Sequence, residues 1–164
     1  MEHTEYSATQ IRKMLQELFP QRRLVLSQFT FFNHAGVAKA TGTTFRRGRR
    51  CYRLEDILSI ACILALKEEG IPYKNVEQVP PLIQDNSEQI FALGDGCRIS
   101  GFGDTVSLVI PGQAQENPAL ERYLADESGL MLFWSFNVGL LAGQLRAIAS
   151  GESVAAQGLF LKAA

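Results

Sequence analysis

The first half of the chain contains two stretches in which apolar residues recur at helical spacing. In the first, four apolar residues fall on one face of a helix if the chain turns once every 3.6 residues. They are Ile11, Met14, Leu15 and Leu18. Ser7 and Gln10 have the spacing of a capping box at the start of such a helix, and Pro20 is placed to stop it. The pattern predicts an amphipathic helix that begins after Ser7.

The second stretch, "LEDILSIACILALKEEG" at residues 54–70, is apolar on most sides of a helix. Glu55 and Asp56 lie in its first turn and Lys67 in its last, where each charge is favourable to the helix dipole. Gly70 is placed to end it. Since a helix that is apolar all round is a buried one, we expect it to form the core of the first half.

Between these helices, the stretch 26–36, "LSQFTFFNHAG", is compatible with a short helix that Ser27 caps and Gly36 ends. The stretch 37–53 then loses the helical period. Its glycines, threonines and aromatic residues predict two short β segments around a turn at "RRGRR".

A further helix is predicted at 71–79, "IPYKNVEQV". Pro72 suits a first helical turn, and Pro80 and Pro81 are expected to end the helix. We place a module boundary shortly after this point, which divides the chain into residues 1–82 and 83–164.

The second half contains four weaker patterns. "CRISGFGDTVSLVIPG" predicts two strands around a glycine-rich turn, "PALERYLADES" a short helix, and "GLLAGQLRAIASG" a helix with apolar spacing. "LMLFWSFNV" fits either a buried strand or the start of an apolar helix. The fold class predicted for the whole chain is therefore α+β, with a small α+β module in the second half.

Charge divides the chain at the same place. The 164 residues have a formal net charge of −1. Residues 1–82 hold 12 Lys and Arg against 8 Asp and Glu, whereas residues 83–164 hold 4 against 9. A basic half followed by an acidic half indicates two modules with different partners.

The composition and the start of the chain indicate a cytoplasmic protein. The N-terminus "MEHTEYS" is polar and acidic, unlike a secretory signal. The longest apolar stretch, 129–143, is interrupted by Ser135 and Asn137 and is shorter than the roughly 20 residues of a membrane helix. We therefore expect no contact with a membrane.

Positive charge is concentrated in one segment of the basic half. Five arginines and no acidic residue lie between Thr41 and Arg53. Because no acid is interleaved, these arginines gain nothing from ion pairs within the segment. Their planar guanidinium donors suit phosphate. The run is therefore a candidate for contact with a nucleic-acid backbone. Arg53, next to the core helix, could instead pair with Glu55 or Asp56.

The stretch "GRRCYRLEDILSIACILALKEEGIPYKNVEQV" resembles the wing and the following helices of MerR-type transcription regulators. The shared features are the glycine-arginine wing, the "YR" pair, the Asp in the next helix start and the "GIP" segment. The resemblance covers about residues 6–80. It implies an N-terminal MerR-like winged helix-turn-helix of bacterial type that binds double-stranded DNA, with a recognition helix in the major groove and the wing on the backbone.

The candidate DNA contacts fall into three groups. Arginines of the wing and of the link between the first two helices would contact phosphates. Polar residues of the second helix would read bases, because Gln and Asn can bond adenine edges in bidentate fashion. The candidates are Arg22, Arg23, Ser27, Gln28, Thr30, Asn33, His34, Arg46, Arg47, Arg49 and Arg50.

Two alternatives to a DNA-binding regulator stay open. Thr30, Phe31 and Phe32 stand where the family usually has "RYY", so the winged helix could serve as a protein-interaction adaptor whose arginines meet an acidic partner. A small-ligand receptor is the other alternative, if "FWSFNVG" lines a pocket. In the regulator, the second module would bind a small-molecule effector or a protein partner, or form a homodimer.

Catalysis, metals and cofactors are not expected. "GDGCRISGFGDT" matches neither common glycine-rich phosphate loop, and no combination of Ser, His and an acid suggests a catalytic triad. Cys51, Cys62 and Cys97 lack the spacing of a metal site or of a disulfide framework. We expect reduced thiols, with Cys62 inert in the core.

Overall fold

The structure is a computed structural model that describes residues 4–24, 51–112, 117–129, 131–154 and 160–163. The helices of these residues are α1 (Ala8–Leu18), α2 (Leu54–Glu68), α3 (Tyr73–Val76), α4 (Val79–Leu93), α5 (Pro118–Ala125) and α6 (Val138–Ala149). The strands are β1 (Tyr6–Ser7), β2 (Cys51–Tyr52), β3 (Arg98–Phe102), β4 (Thr105–Val109), β5 (Phe133–Phe136) and β6 (Phe160–Ala163). The fold is therefore of the α+β class, as predicted.

Helix α1 confirms the capping prediction. The Gln10 backbone N–H donates to Ser7 Oγ at 3.3 Å, and the Ser7 backbone N–H donates to Gln10 Oε1 at 2.8 Å. The four apolar residues of the predicted face are all buried. The reciprocal bonds satisfy two donors that a helix start otherwise leaves unpaired.

Helix α2 is the central helix of the molecule, as its sequence predicts. Every residue from 56 to 66 is buried, and the helix contacts both α4 and α6. Gly70 follows its end with a φ of 75°, a backbone conformation that glycine adopts at little cost.

Pro80 and Pro81 begin a helix, so the prediction that they end one is wrong. Helix α3 stops at Val76, and Pro80 and Pro81 lie in the first turn of α4. A proline is tolerated there because the first turn of a helix has no internal acceptor for its N–H. The stretch "IQDNSEQ" at 83–89, near which the module boundary was placed, is helical as a result.

The second half contains a four-stranded antiparallel sheet, with the strand order β4-β3-β5-β6. The predicted pair of strands around a glycine turn is confirmed as β3 and β4, with Gly103 in the turn at a φ of 60°. Residues 133–136 form a strand, which decides between the two predicted alternatives. Gly101 lies opposite Trp134, and a Cβ there would come within 2.2 Å of the indole ring.

Each face of the sheet packs on a different layer. Ile99, Trp134 and Phe136 point into the main hydrophobic cluster, which also contains the buried residues of α1, α2, α4 and α6. The opposite face, with Phe102 and Phe133, packs on Ala119 and Tyr123 of α5. The sheet therefore lies between a layer of helices and the single helix α5.

The main hydrophobic cluster takes residues from both sides of the predicted boundary between residues 82 and 83. Helix α4 runs through this boundary without a break, and α6 contacts α1 and α2. The independence of residues 1–82 and 83–164 stays a prediction, to be tested against this shared cluster.

The apolar stretch 129–143 is divided between β5 and the start of α6. Across the described ranges, no helix combines the length and the apolar character needed to cross a membrane.

Candidate nucleic-acid interface

Most of the predicted DNA contacts lie outside the described residues. These are Ser27, Gln28, Thr30, Asn33, His34, Arg46, Arg47, Arg49 and Arg50. The structure does describe Arg22 and Arg23, and the residues on either side of the segment 25–50. The interface is therefore built here from its anchoring residues.

Arg22 contacts the end of the central helix. Its Nη1 donates to the Leu64 carbonyl at 2.7 Å and lies 3.9 Å from Glu68 Oε2. A cation near the last carbonyls of a helix is favourable, since these groups carry partial negative charge. Arg22 thus attaches the link after α1 to α2, and its contact with DNA stays a prediction.

The link from α1 to residue 24 is tightened by local hydrogen bonds. Gln16 Nε2 donates to the carbonyls of Phe19 and Pro20 at 3.3 Å and 3.1 Å. Leu24 is buried beyond them, whereas Arg23 is exposed. Of the two predicted contacts in the link, Arg23 is the one whose side chain faces solvent.

The residues directly after the segment 25–50 belong to a two-stranded ribbon. Strand β2 pairs antiparallel with β1, with Tyr6 opposite Tyr52 and Ser7 opposite Cys51. Tyr52 is 2% exposed, so its burial stabilises the ribbon. Residues 51–52 are the described part of the predicted hairpin, and they form a strand. The residue that follows the arginine run is thereby held beside the start of α1.

Asp56 connects the base of this ribbon to helix α4. Its Oδ2 accepts from the Arg53 backbone N–H, and its Oδ1 accepts from Gln84 Nε2, both at 3.1 Å. Burial raises the pKa of the Asp56 carboxyl, and the hydrogen bonds from Arg53 and Gln84 oppose this effect. Asp56 therefore bonds the backbone of Arg53, whereas the predicted ion pair of the Arg53 side chain with Glu55 or Asp56 is not among the ion pairs of the described residues.

Two exposed cations on α1 were missed by the sequence interpretation. Arg12 and Lys13 both face solvent, on the side of the helix opposite its buried residues. The helical period that predicts the buried face of α1 also predicts the exposed face that carries these two cations. With Arg23, they add exposed positive charge to the half that contains the arginine run.

The cysteines form no disulfide with one another. Cys62 and Cys97 are buried, and this burial raises the pKa of both thiols. A neutral, buried thiol is a poor nucleophile and a poor metal ligand. Cys62 lies in the core, as predicted.

The aromatic residues of "FWSFNVG" belong to the core. Trp134 and Phe136 are 1% exposed and lie in the main hydrophobic cluster. These two rings are packed among core side chains, so they no longer support the hypothesis that this stretch lines a ligand pocket. Ser135, between them in the strand, points to the other face of the sheet.

A comparison of the chain with models of known protein families and with curated protein sequences finds no match. The contacts that fix both ends of the segment 25–50 therefore carry the functional interpretation, together with the charge of that segment.

Proposed function

We propose that the protein is a sequence-specific, DNA-binding regulator of transcription, with a MerR-like winged helix-turn-helix in its N-terminal half. The observation that supports this most is the position of the arginine run. Four arginines at residues 46–50 directly precede a strand that is paired with β1 and buried through Tyr52. Charge that is anchored in this way meets a phosphate backbone with less loss of conformational freedom.

The anchor also limits how far the arginines can lie from the fold. Arg46 is five residues from Cys51, and an extended residue spans at most about 3.6 Å. All four arginines therefore stay within roughly 18 Å of the ribbon. The wing in this proposal is a short extension of β2.

In this proposal the two ends of the segment 25–50 have separate roles. The polar residues of 27–34 enter the major groove and read bases, and Arg46, Arg47, Arg49 and Arg50 contact phosphates. Arg23, exposed on the link, adds a further backbone contact. Binding of this type often distorts the duplex, which is one way to regulate a promoter.

The acidic second half does not contact DNA in this proposal, because its net charge would repel phosphate. It binds an effector or a protein partner, or pairs with a second copy. In this proposal Asp56 couples the second half to the wing, since the same carboxylate accepts from the Arg53 backbone and from Gln84 of α4. A cytoplasmic location is part of the proposal.

The runner-up is an adaptor that binds an acidic protein through the same arginines. The observation that favours it is the sequence at Thr30, Phe31 and Phe32, which lacks the arginine and the hydroxyls of "RYY". An adaptor would show no affinity for DNA at low salt.

Binding of the full-length chain to random-sequence and genomic duplexes across a salt series tests the proposal. Replacing Arg47, Arg49 and Arg50 with Ala should weaken binding to all sequences equally and flatten the salt dependence by about one unit per lost phosphate contact. Changing Gln28 or Asn33 to Ala should cost about 1–3 kcal/mol on the preferred site and little on random DNA.

Arg122→Ala is the matched control, because it removes an arginine from the acidic half. It should leave both the affinity and the salt slope unchanged. Absence of binding to any duplex at about 50 mM salt, where phosphate contacts are strong, would reject the regulator and favour the adaptor.

A further inference from the structure

Three serines form a row across the face of the sheet that packs on α5. Ser107, Ser100 and Ser135 lie directly opposite one another on β4, β3 and β5. Side chains of directly opposite residues point to the same face, so the three hydroxyls are neighbours. We call them the serine row. Ser100 and Ser135 are 2% and 5% exposed.

Arg98 lies over one end of the serine row. It is two residues before Ser100 on β3 and therefore shares its face of the sheet. Arg98 Nε donates to Ser135 Oγ at 2.7 Å, and Nη2 lies 3.3 Å from the Ser135 carbonyl. These two bonds fix the plane of the guanidinium while the side chain stays partly exposed.

Arg98 has hydrogen-bond donors that its contacts with the serine row do not use. A guanidinium has five N–H donors, and the two bonds to Ser135 use one each at Nε and Nη2. Among the described residues, Arg98 Nη1 has no acceptor, and Arg98 takes part in neither ion pair.

The serine row adds one more donor. Ser100 Oγ and Ser135 Oγ are 3.3 Å apart and share a single hydrogen bond, and Arg98 Nε donates to Ser135 rather than accepting. One of the two hydroxyl protons is therefore without an acceptor among the described residues. Ser107 differs, because its hydroxyl donates to Asn117 Oδ1 at 3.1 Å.

The donors left over at Arg98 and at the serine pair, one group of them cationic, complement an acceptor that is anionic. We propose that Arg98 and the Ser100–Ser135 pair bind a small oxyanion, that is, a carboxylate or a phosphate group. The Arg98 fork would hold two oxygens, and the serine hydroxyl proton would meet one of them. This inference goes beyond the proposed function and does not depend on DNA binding, since the site lies wholly in the acidic half.

The test uses the full-length protein without DNA. Sodium acetate and inorganic phosphate are titrated separately, with sodium chloride holding the ionic strength constant, and the Arg98 Nε–H resonance is followed by NMR. A saturable shift of this resonance is expected, and the probe that saturates at lower concentration identifies the class of oxyanion. Assignment of the resonance comes from its loss in Arg98→Lys.

Two variants separate a built site from general attraction of anions. Arg98→Lys keeps the charge but loses the fork. Binding, followed in the variants by the backbone amide resonance of Ser100, should weaken at least about tenfold, which corresponds to about 1.4 kcal/mol. Ser135→Ala removes the hydroxyl that orients the guanidinium and should also weaken binding. Arg122→Lys, an exposed arginine of the same half, is the matched control and should change the affinity less than about twofold.

Each result bears on the proposal. The lack of saturation with both anions in the wild-type protein would overturn it, and this readout needs no variant to fold. Equal weakening in Arg98→Lys and Arg122→Lys would also overturn it, since the effect would then not depend on which arginine is replaced. DNA binding can fail while this titration succeeds, so the two proposals are tested separately.

Discussion

Helices α2 and α6 both lie in the main hydrophobic cluster, but different contacts hold them in place. Helix α2 is surrounded by side chains, with every residue from 56 to 66 buried. Helix α6 begins by close backbone contact with the loop before β3, where Gly139 N–H donates to the Cys97 carbonyl at 3.0 Å. Side chains around α2 can change rotamer when a neighbour changes, whereas a close backbone contact is relieved only if the helix or the loop itself moves.

A polar side chain in the first turn of α2 and at the cap of α6 connects each helix to a different neighbour. Asp56 in the first turn of α2 accepts from the Arg53 backbone and from Gln84. Asn137 caps α6 by accepting from the Leu140 backbone at 2.9 Å, and its Nδ2 donates to Asp95 Oδ1 at 2.6 Å. The α6 cap therefore joins its helix to the loop that the backbone also approaches.

The largest effect is expected from Gly139→Ala, which breaks the backbone contact of α6. A Cβ at residue 139 would lie 1.7 Å from the Gly94 carbonyl oxygen, so the helix or the loop must move. We expect a loss of at least about 3 kcal/mol, the upper end of typical overpacking costs. Urea denaturation followed by circular dichroism measures it.

Gly143→Ala in the same helix is the control, because nothing lies within 4 Å of a Cβ there. It should stabilise the protein by about 0.5–1 kcal/mol, the gain of alanine over glycine inside a helix. Equal effects of the two substitutions would contradict the contact described for α6.

Cys62→Ser tests the burial of α2. Cys62 is 0% exposed, and a serine hydroxyl in its place would need a partner in an apolar environment. We expect a loss of about 1–3 kcal/mol, measured as a lower unfolding midpoint in urea. Cys62→Ala lacks the hydroxyl and isolates the cost of removing the sulfur. If serine and alanine cost the same, the polar group is satisfied and the environment of Cys62 is not apolar.

Asp56→Asn compares a polar contact at α2 with these packing effects. At low pH the neutral carboxyl can still accept at both oxygens, whereas an asparagine places an NH2 against one of the two donors, so about 0.5–1.5 kcal/mol should be lost. Since burial raises the pKa of Asp56 above 3.8, the folded protein binds this proton more tightly than the unfolded chain. The wild type therefore loses stability as pH rises from about 3.8 through the raised pKa. The difference in free energy of unfolding between the wild type and Asp56→Asn should narrow over the same range.

Urea denaturation of both proteins across this pH range provides the measurement. Asp85→Asn serves as the control, because Asp85 is exposed on the same helix as Gln84. A deficit that widens as pH rises would mean that the Asp56 carboxylate is stabilised in the folded state.

Arg122→Ala should have the smallest effect, because it removes an exposed contact remote from the starts of α2 and α6. Arg122 Nη1 donates to Asp104 Oδ1 at 2.8 Å and also to Thr105 Oγ1. The hydrogen bond from Arg122 lowers the pKa of Asp104. In the variant this pKa should rise toward its ordinary value, as followed by NMR of the carboxyl carbon, while the unfolding midpoint stays unchanged. A large fall in the midpoint would show that exposed pairs contribute as much as the core.

Much of the helical structure could be predicted because its signals are local. The capping box of α1 involves residues three apart, and the apolar run of α2 needs no partner to be recognised as buried. Helix α4 was missed because Pro80 and Pro81 suit both the end of one helix and the first turn of the next. Whether these prolines end one helix or begin the next depends on the residues that pack against that turn, and those residues are distant in sequence.

The same distinction applies to the candidate sites. The arginine run and its lack of acids follow directly from the amino-acid order, because charge is a property of each residue. The pairing of residues 51–52 with β1, the contact of Arg22 with α2 and the contact of α4 with Asp56 are set by the folded chain as a whole. Strand register likewise aligned Ser100 with Ser135, 35 residues later. Pairing of strands and close approach of backbones depend on the whole chain reaching its lowest free energy, which no single segment encodes.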